Sequence, residues 1–333
     1  CACLVGSEMC IRDRYFINSN WGKNIMSKTL YSVYRYIVLG LFLIINIWLF
    51  LLSIFSTSRL TSDASEHTYY TGDHAWLHII ILVVLIAAAF YLVRNNIFTR
   101  INSYLSNNEK TFIRIRNICL IIIGISGAAW VLLTQSNAGA DQYYVLDAAR
   151  GLRNGDYSAF RYNGYIAKYT NQIGLLFIEY IIGFIVGDYN YLFWQLLNVV
   201  MIVFTYKMFS DILGILKLPR IASLSTIILG ILFFPWTLYS VFIYGNVAGL
   251  FFATSAFKYT MLFIDSLKEF NSFKISYIVI SAFSMMLSVM VKNNYLIFMI
   301  ALIIYTVAEA LRHRNIQILS LIHISEPTRH AQI

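Results

Sequence analysis

The residues able to do chemistry in this chain gather in one polar stretch. Residues 135–180 read QSNAGADQYYVLDAARGLRNGDYSAFRYNGYIAKYTNQIGLLFIEY, the most polar run between long apolar segments. Asp141 stands where a helix should begin, and Tyr144, Val145, Ala148, Ala149 and Leu152 then recur at helical spacing up to about Arg153. Gly151, Asn154 and Gly155 suit a C-terminal stop. The pattern predicts an amphipathic helix on a membrane surface. A carboxylate at its start can cap the helix or take a proton from a bound group. Arg150, Arg153, Arg161 and Lys168 on the same stretch suit an anionic partner such as a lipid headgroup. Asp147 and Asp156 have the character of solvated surface charges.

Other constellations are sparser. Glu179 is an ionisable residue in an apolar run, a functional position by default inside a membrane. Asp73, His74 and His78, with Glu66 and His67 nearby, have a spacing that can hold a metal. Histidines beside Trp76 at a membrane interface are the simpler account, and the sequence assigns no metal site and no cofactor; a divalent metal is the one to test. The turn 237–246, TLYSVFIYGN, is uncharged and aromatic, and Lys292-Asn293-Asn294 forms a polar turn between two apolar runs. No glycine-rich nucleotide motif follows a strand, which excludes a nucleotide-sugar domain.

The elements that must position these residues are membrane spans. Hydrophobic residues make up 59% of the chain and charged residues 12%, with a mean hydropathy of +0.67. Soluble domains carry about 25% charged residues. Apolar segments fall near 36–56, 76–93, 117–134, 172–187, 191–206, 221–236, 247–264, 275–291 and 295–310. A span needs about 20 apolar residues, and in lipid such runs must be helical. The expected fold is therefore all-α, a polytopic transmembrane bundle of eight or nine hydrophobic segments with an amphipathic surface helix in an external loop. The net charge of +9 sits between the apolar runs, where it orients the chain, and no basic aromatic-interleaved domain for nucleic acid is present.

Lys23, Lys28 and Arg35 place the first segment's start in the cytoplasm, and the basic loop 94–116 is cytoplasmic too. Residues 57–75 and 135–171 then lie outside. Counting back from Arg312 and Arg314 puts 292–294 outside, 265–274 inside, 237–246 outside and 207–220 inside. Two full spans between 171 and 207 would violate that parity. Either one of the short segments 172–187 and 191–206 is partial or re-entrant, or the Lys207, Lys217 and Arg220 signal misleads; the short lengths favour the first.

Both ends look foreign. Val5–Asp13 can be encoded by GTGGGCTCGGAGATGTGTATAAGAGAC, whose reverse complement in one frame encodes Ser320 to Pro327 and begins a codon for Thr328. Both peptides resemble translated sequencing-adapter DNA. Residues 1–14 and 319–333 are accordingly expected to be non-native, with the native chain a fragment that continues past Ile318. Cys1, Cys3 and Cys10 drop out with them, which leaves Cys119 and no disulfide framework. Between the ends, 15–35 is a cytoplasmic N-terminal segment, 36–116 holds two extra spans and the basic loop, and 117–318 is the main transmembrane module.

Within that module the residues resemble a family. Asp141 opens a surface helix after a span; Ala148-Ala149-Arg150-Gly151-Leu152-Arg153-Asn154-Gly155-Asp156-Tyr157 follows, then Gly164-Tyr165, and Tyr169-Thr170-Asn171-Gln172 turns into the next segment. This is similar to the GT-C membrane glycosyltransferases, among them protein O-mannosyltransferases and lipid A aminoarabinose transferases. The specific likeness covers about 40 residues of a region near 117–310. Asp141-Gln142 stands where the family often has Asp-Glu, and the family's proline is missing from the 169–172 turn. The resemblance implies transfer of a sugar from a polyprenyl-phosphate donor to a glycan, lipid or protein acceptor on the extracytoplasmic face of the cell membrane. It makes Asp141 the base, and gives Arg150, Arg161, Lys168, Gln172, Tyr244, Asn246 and Lys292 to the carrier phosphate or the sugar. A rival from another class is a polytopic transporter or flippase, which predicts paired repeats with ionisable mid-membrane residues; only Glu179 points that way.

Overall fold

The computed structural model describes residues 29, 32–60, 68–270 and 273–313. The expected foreign ends 1–14 and 319–333, most of the segment 15–35, and Glu66 and His67 lie outside the described residues. The chain is a helical bundle that divides into two compact units near Arg100.

The first unit contains α1 (Ser32–Phe55) and α2 (Ala75–Arg94). None of α2's residues is buried, and its Ile, Leu and Val side chains point outward all round. Apolar surface on that scale is sustainable only against another apolar phase. The expected loop 57–75 holds a short antiparallel hairpin, β1 (Ser56–Leu60) with β2 (Thr68–Gly72), in register Ser56 to Gly72. The β-branched and aromatic residues of STSRL and TYYTG favour it, a local addition to an otherwise helical bundle. Asp73 accepts hydrogen bonds from the Thr57 hydroxyl and the His74 amide, and these bonds hold its carboxyl below the usual range. His78 turns to the Ile54 carbonyl at 3.1 Å. Among the described residues no three His, Cys, Asp or Glu side chains gather as metal ligands.

The second unit carries α3 (Ile97–Asn107, at the division), α4 (Glu109–Thr134), α5 (Ala140–Arg153), α6 (Tyr165–Lys168), α7 (Ile173–Val186), α8 (Tyr191–Ile215), α9 (Arg220–Leu232), α10 (Phe234–Leu238), α11 (Asn246–Phe270), α12 (Ile275–Val291) and α13 (Leu296–His313). Among the described residues six helices are long and apolar enough to cross a membrane, and up to eight spans result if each of two bent helix pairs is one. Each of the nine apolar segments corresponds to a helix. One of the bent pairs is α9 with α10, which kinks at Phe233 just before Pro235, where proline cannot continue the ladder.

At the centre, α11 packs on α12 through hydroxyls. Thr260 Oγ1 and Ser281 Oγ lie 2.7 Å apart, Ser255 and Ser284 Oγ 3.1 Å, and Ser288 Oγ donates to the Gly249 carbonyl at 2.7 Å. Apolar side chains gain little from leaving lipid, so small residues and interhelical hydrogen bonds of about 0.6 kcal/mol each do the joining.

Helix α7 does not run from one end of the bundle to the other. Its 14 residues reach about 21 Å, short of the roughly 30 Å hydrocarbon core. It starts at Gln172, bonded to Tyr244, and leads into Asp188, paired with α5. From there α8 departs beside Ser136 and Val241, with Gln195 Nε2 donating to both carbonyls. Both ends of α7 thus belong to the end of the bundle that holds α5.

Candidate functional site

That end is built by α5, α6, the start of α7 and two turns. Val145, Ala148 and Ala149 of α5 bury against Ile166, Leu175, Leu176 and Val291. This is the apolar face the spacing predicts, except that Tyr144 stays exposed. Gly139 takes the N-cap position, so Asp141 sits in the first turn and does not cap the helix. Its carboxylate is exposed and lies close enough to Tyr165 and Tyr244 to act on both phenols.

Four separated chain segments meet there. Gln172 Nε2 donates to the Tyr244 hydroxyl at 2.7 Å, and the Tyr165 and Tyr244 hydroxyls lie 3.4 Å apart. Lys292 Nζ stands 3.5 Å from the centre of the Tyr244 ring, a cation–π contact. Two glycines permit this approach. Gly174 presses on the Met290 carbonyl and Gly245 on the Val291 carbonyl, and a Cβ at either would overlap that oxygen. Gly245 also adopts φ +77°, the left-handed region that suits glycine. The turn carrying Tyr244 is clamped by amides: Ile243 N donates to Gln142 Oε1 at 2.8 Å, and Asn198 Nδ2 donates to the Ser240 and Phe242 carbonyls at 3.1 Å each. Tyr295 Oη donates to the Asn246 carbonyl at 2.6 Å, which ties the Lys292 turn to the start of α11.

Electrostatics follow from the burial. Desolvation pushes the Tyr165 and Tyr244 phenols up, and the adjacent Asp141 carboxylate adds to this. Lys292 is half-buried, and loss of water lowers its ammonium to about 8 against the opposing pull of Asp141. Its charge therefore titrates near neutral pH. Gln172 Oε1 and Asn246 Oδ1 are buried acceptors with no hydrogen-bond partner, and Gln172 is 3% exposed. Buried acceptors of this kind ordinarily have a donor.

The structure thus brings together Asp141, Gln172, Tyr244 and Lys292, with Asn246 at the edge. Lys168 is exposed beside the Tyr169 ring, which packs at 4.9 Å on Tyr165. Arg161 is exposed near Asp156. Arg150 lies elsewhere: its Nη1 donates to the Tyr189 hydroxyl at 3.0 Å, and Asp147 and Asp188 stand at 3.8 Å. Tyr189 also bonds Asp147, and its phenol, raised first by burial, is pushed up to about 12. Arg153 completes this second cluster. It pairs with Asp188, donates to the Glu179 and Tyr180 carbonyls at 3.0 and 3.2 Å, and lays its guanidinium over Gly183, where a Cβ would collide with it. It fastens α5 to α7. Glu179 is 3% exposed, and its Oε2 has no hydrogen-bond partner.

Tyr165, Gln195 and Asn198 are absent from the sequence-based candidates. For Gln195 and Asn198 a signal existed, two amides one turn apart in an apolar run. No protein family matches the chain, and neither a curated protein nor a solved structure is significantly similar to it.

Proposed function

We propose that this protein is a multi-pass membrane glycosyltransferase of the GT-C type, which moves a sugar from a polyprenyl-phosphate donor to an acceptor hydroxyl on the extracytoplasmic face. The observation that carries the reading is the convergence of Asp141, Gln172, Tyr244 and Lys292 from four distant segments into one polar site at a bundle end. With α7 beginning and ending at that end, α8 alone crosses between 135–171 and 207–220. That is the parity the Lys and Arg distribution asks for, with the site outside.

In this reading Asp141 takes the proton of the acceptor hydroxyl. The acceptor oxygen bonds to the anomeric carbon as the bond from that carbon to the phosphate oxygen breaks. The electron pair leaves with the polyprenyl phosphate, and the Lys292 ammonium, with Lys168 nearby, balances the charge that develops there. Gln172 Oε1 and Asn246 Oδ1, which lack donors, receive sugar hydroxyls. The Asp141 carboxylate is open to solvent beside the Tyr165 and Tyr244 hydroxyls, and Gln172 holds Tyr244 in place.

A transport reading has one observation of its own: Glu179, buried with an unpartnered oxygen in a helix that does not cross the bundle. The two readings part in one assay. Purified chain, a labelled polyprenyl-phosphate sugar and an acceptor lipid should yield transfer that Asp141→Asn abolishes and Glu179→Gln retains. Absence of transfer with every donor, together with Glu179-dependent uptake into vesicles, would replace the first reading by the second.

A further inference from the structure

The opposite end of the second unit holds a cavity of about 390 Å³ that the transfer site does not use. Its walls include Phe112 and Arg116 of α4, Ser210 and Asp211 of α8, and Arg220 and Ser223 of α9. Three cations converge on the single Asp211 carboxylate: Lys258 at 2.7 Å, Lys207 at 3.0 Å and Arg116 at 3.7 Å. Arg220 adds a fourth across Phe112, whose ring it faces at 5.2 Å while Arg116 faces it at 5.9 Å. Arg220 donates to the Leu105 carbonyl at 3.0 Å, and its nearest carboxylate, Glu109, is 71% exposed at 3.9 Å, where solvent screens the pair.

Four cations thus face two carboxylates, one of them largely in water. Arg116, Lys258 and Asp211 have side chains only 17–19% exposed. Cations held that far from water need compensation beyond a single shared carboxylate. The level is also telling. Arg116 immediately precedes the apolar run 117–134, and Asp211 follows the run 191–206, so the cavity lies where a bilayer's headgroups meet its hydrocarbon. Phe112 and Leu218 give its walls apolar surface, and the Ser210 and Ser223 hydroxyls add polar groups.

We propose that this cavity binds the phosphate headgroup of an anionic phospholipid from the leaflet opposite the transfer site. Arg116 and Arg220 grip the phosphate from either side of Phe112, and Asp211 holds Lys207 and Lys258 in place while limiting the net attraction.

The test uses the full chain in non-ionic detergent, with native mass spectrometry and thermal melting as readouts. The probes are phosphatidylglycerol, phosphatidylcholine and inorganic phosphate. Phosphatidylglycerol should stay bound through delipidation that strips phosphatidylcholine, and should raise the melting temperature. An R116Q/R220Q double variant should bind it about 25-fold more weakly, at roughly fivefold for each cation near the membrane surface. Asp211→Asn, which removes negative charge, should bind it about fivefold more tightly, an outcome that a purely structural role for the cluster does not produce. Equal retention of both lipids, or undiminished binding by the double variant, would overturn the proposal. So would stabilisation by inorganic phosphate matching that by the lipid, since the site would then take a free anion. If the double variant does not fold, Asp211→Asn decides alone: tighter binding supports the site, and unchanged or weaker binding refutes it.

Discussion

Raising the pH through 8 removes the positive charge from Lys292, because burial has lowered its ammonium to about that value. The direction is fixed by the sign of the shift. A lysine lowered from 10.5 is charged below 8 and neutral above it, and the lost charge is the one that faces the carrier phosphate in the proposed reaction. If that charge is required, kcat/KM for the lipid-phosphate donor should fall about tenfold per pH unit above 8. Lys292→Arg keeps the cation across the accessible range, since guanidinium does not titrate below about 12. The variant should therefore move the alkaline limb beyond pH 10 even where its absolute rate is lower. Lys292→Gln should erase the limb and cost about 10²–10³ in kcat at pH 7, the usual effect of removing a donor that stabilises developing negative charge. The assay is initial-rate sugar transfer from pH 6 to 10 for the three proteins. An alkaline limb at the same pH in wild type and Lys292→Arg would refute the reasoning, because the titrating group would then be another one.

Three further outcomes test the architecture. Gly245→Ala meets a positive φ and the Val291 carbonyl at once, so it should cost at least about 1–2 kcal/mol and disorder the site; a melt unchanged within error, with full activity, would contradict the packing. Gly183→Ala should displace the Arg153 guanidinium, whose side chain is 9% exposed. The expected loss is about 1–3 kcal/mol, the range for overpacking, and combining it with Arg153→Ala should cost less than the sum of the two, as a double-mutant cycle by thermal melting would read. Ser281→Val removes the bonds to Thr260 and the Ala256 carbonyl and should lower stability by about 0.6–1.7 kcal/mol, with no change in the pH profile of activity.

The helices were legible because lipid leaves a chain little choice: an apolar run must satisfy its own backbone. Their ends were less so. The run 117–134 is only the apolar part of α4, which begins at Glu109 inside the basic segment, and α8 continues through Lys207 and Asp211 to Ile215. A hydropathy window stops where charge begins, whereas a helix does not. The hairpin at residues 56–72 was missed because an acidic loop between spans carries no pattern strong enough to set a register. Asp141, Gln172, Tyr244 and Lys292 could be picked out as polar residues flanking spans on one side. Tyr165 could not, since tyrosines populate every membrane interface. Arg150 shows what spacing alone withholds. It is nine residues past Asp141, about 180° around α5 and about 13 Å along it, so it meets Asp188 and Tyr189 and not the Asp141 site.

The most direct measurement is transfer of a labelled sugar from a polyprenyl-phosphate donor by the purified chain, compared with Asp141→Asn. The substitution keeps the shape of the side chain and removes its ability to accept the proton. The bonds from Gln172 to Tyr244 and from Ile243 to Gln142 do not involve this carboxylate, so the site should stay assembled. The account predicts transfer by the wild type and a fall of about 10²–10⁴ in the variant, the usual range for a positioned general base, with an unchanged melting temperature. Equal transfer by the two proteins would contradict it.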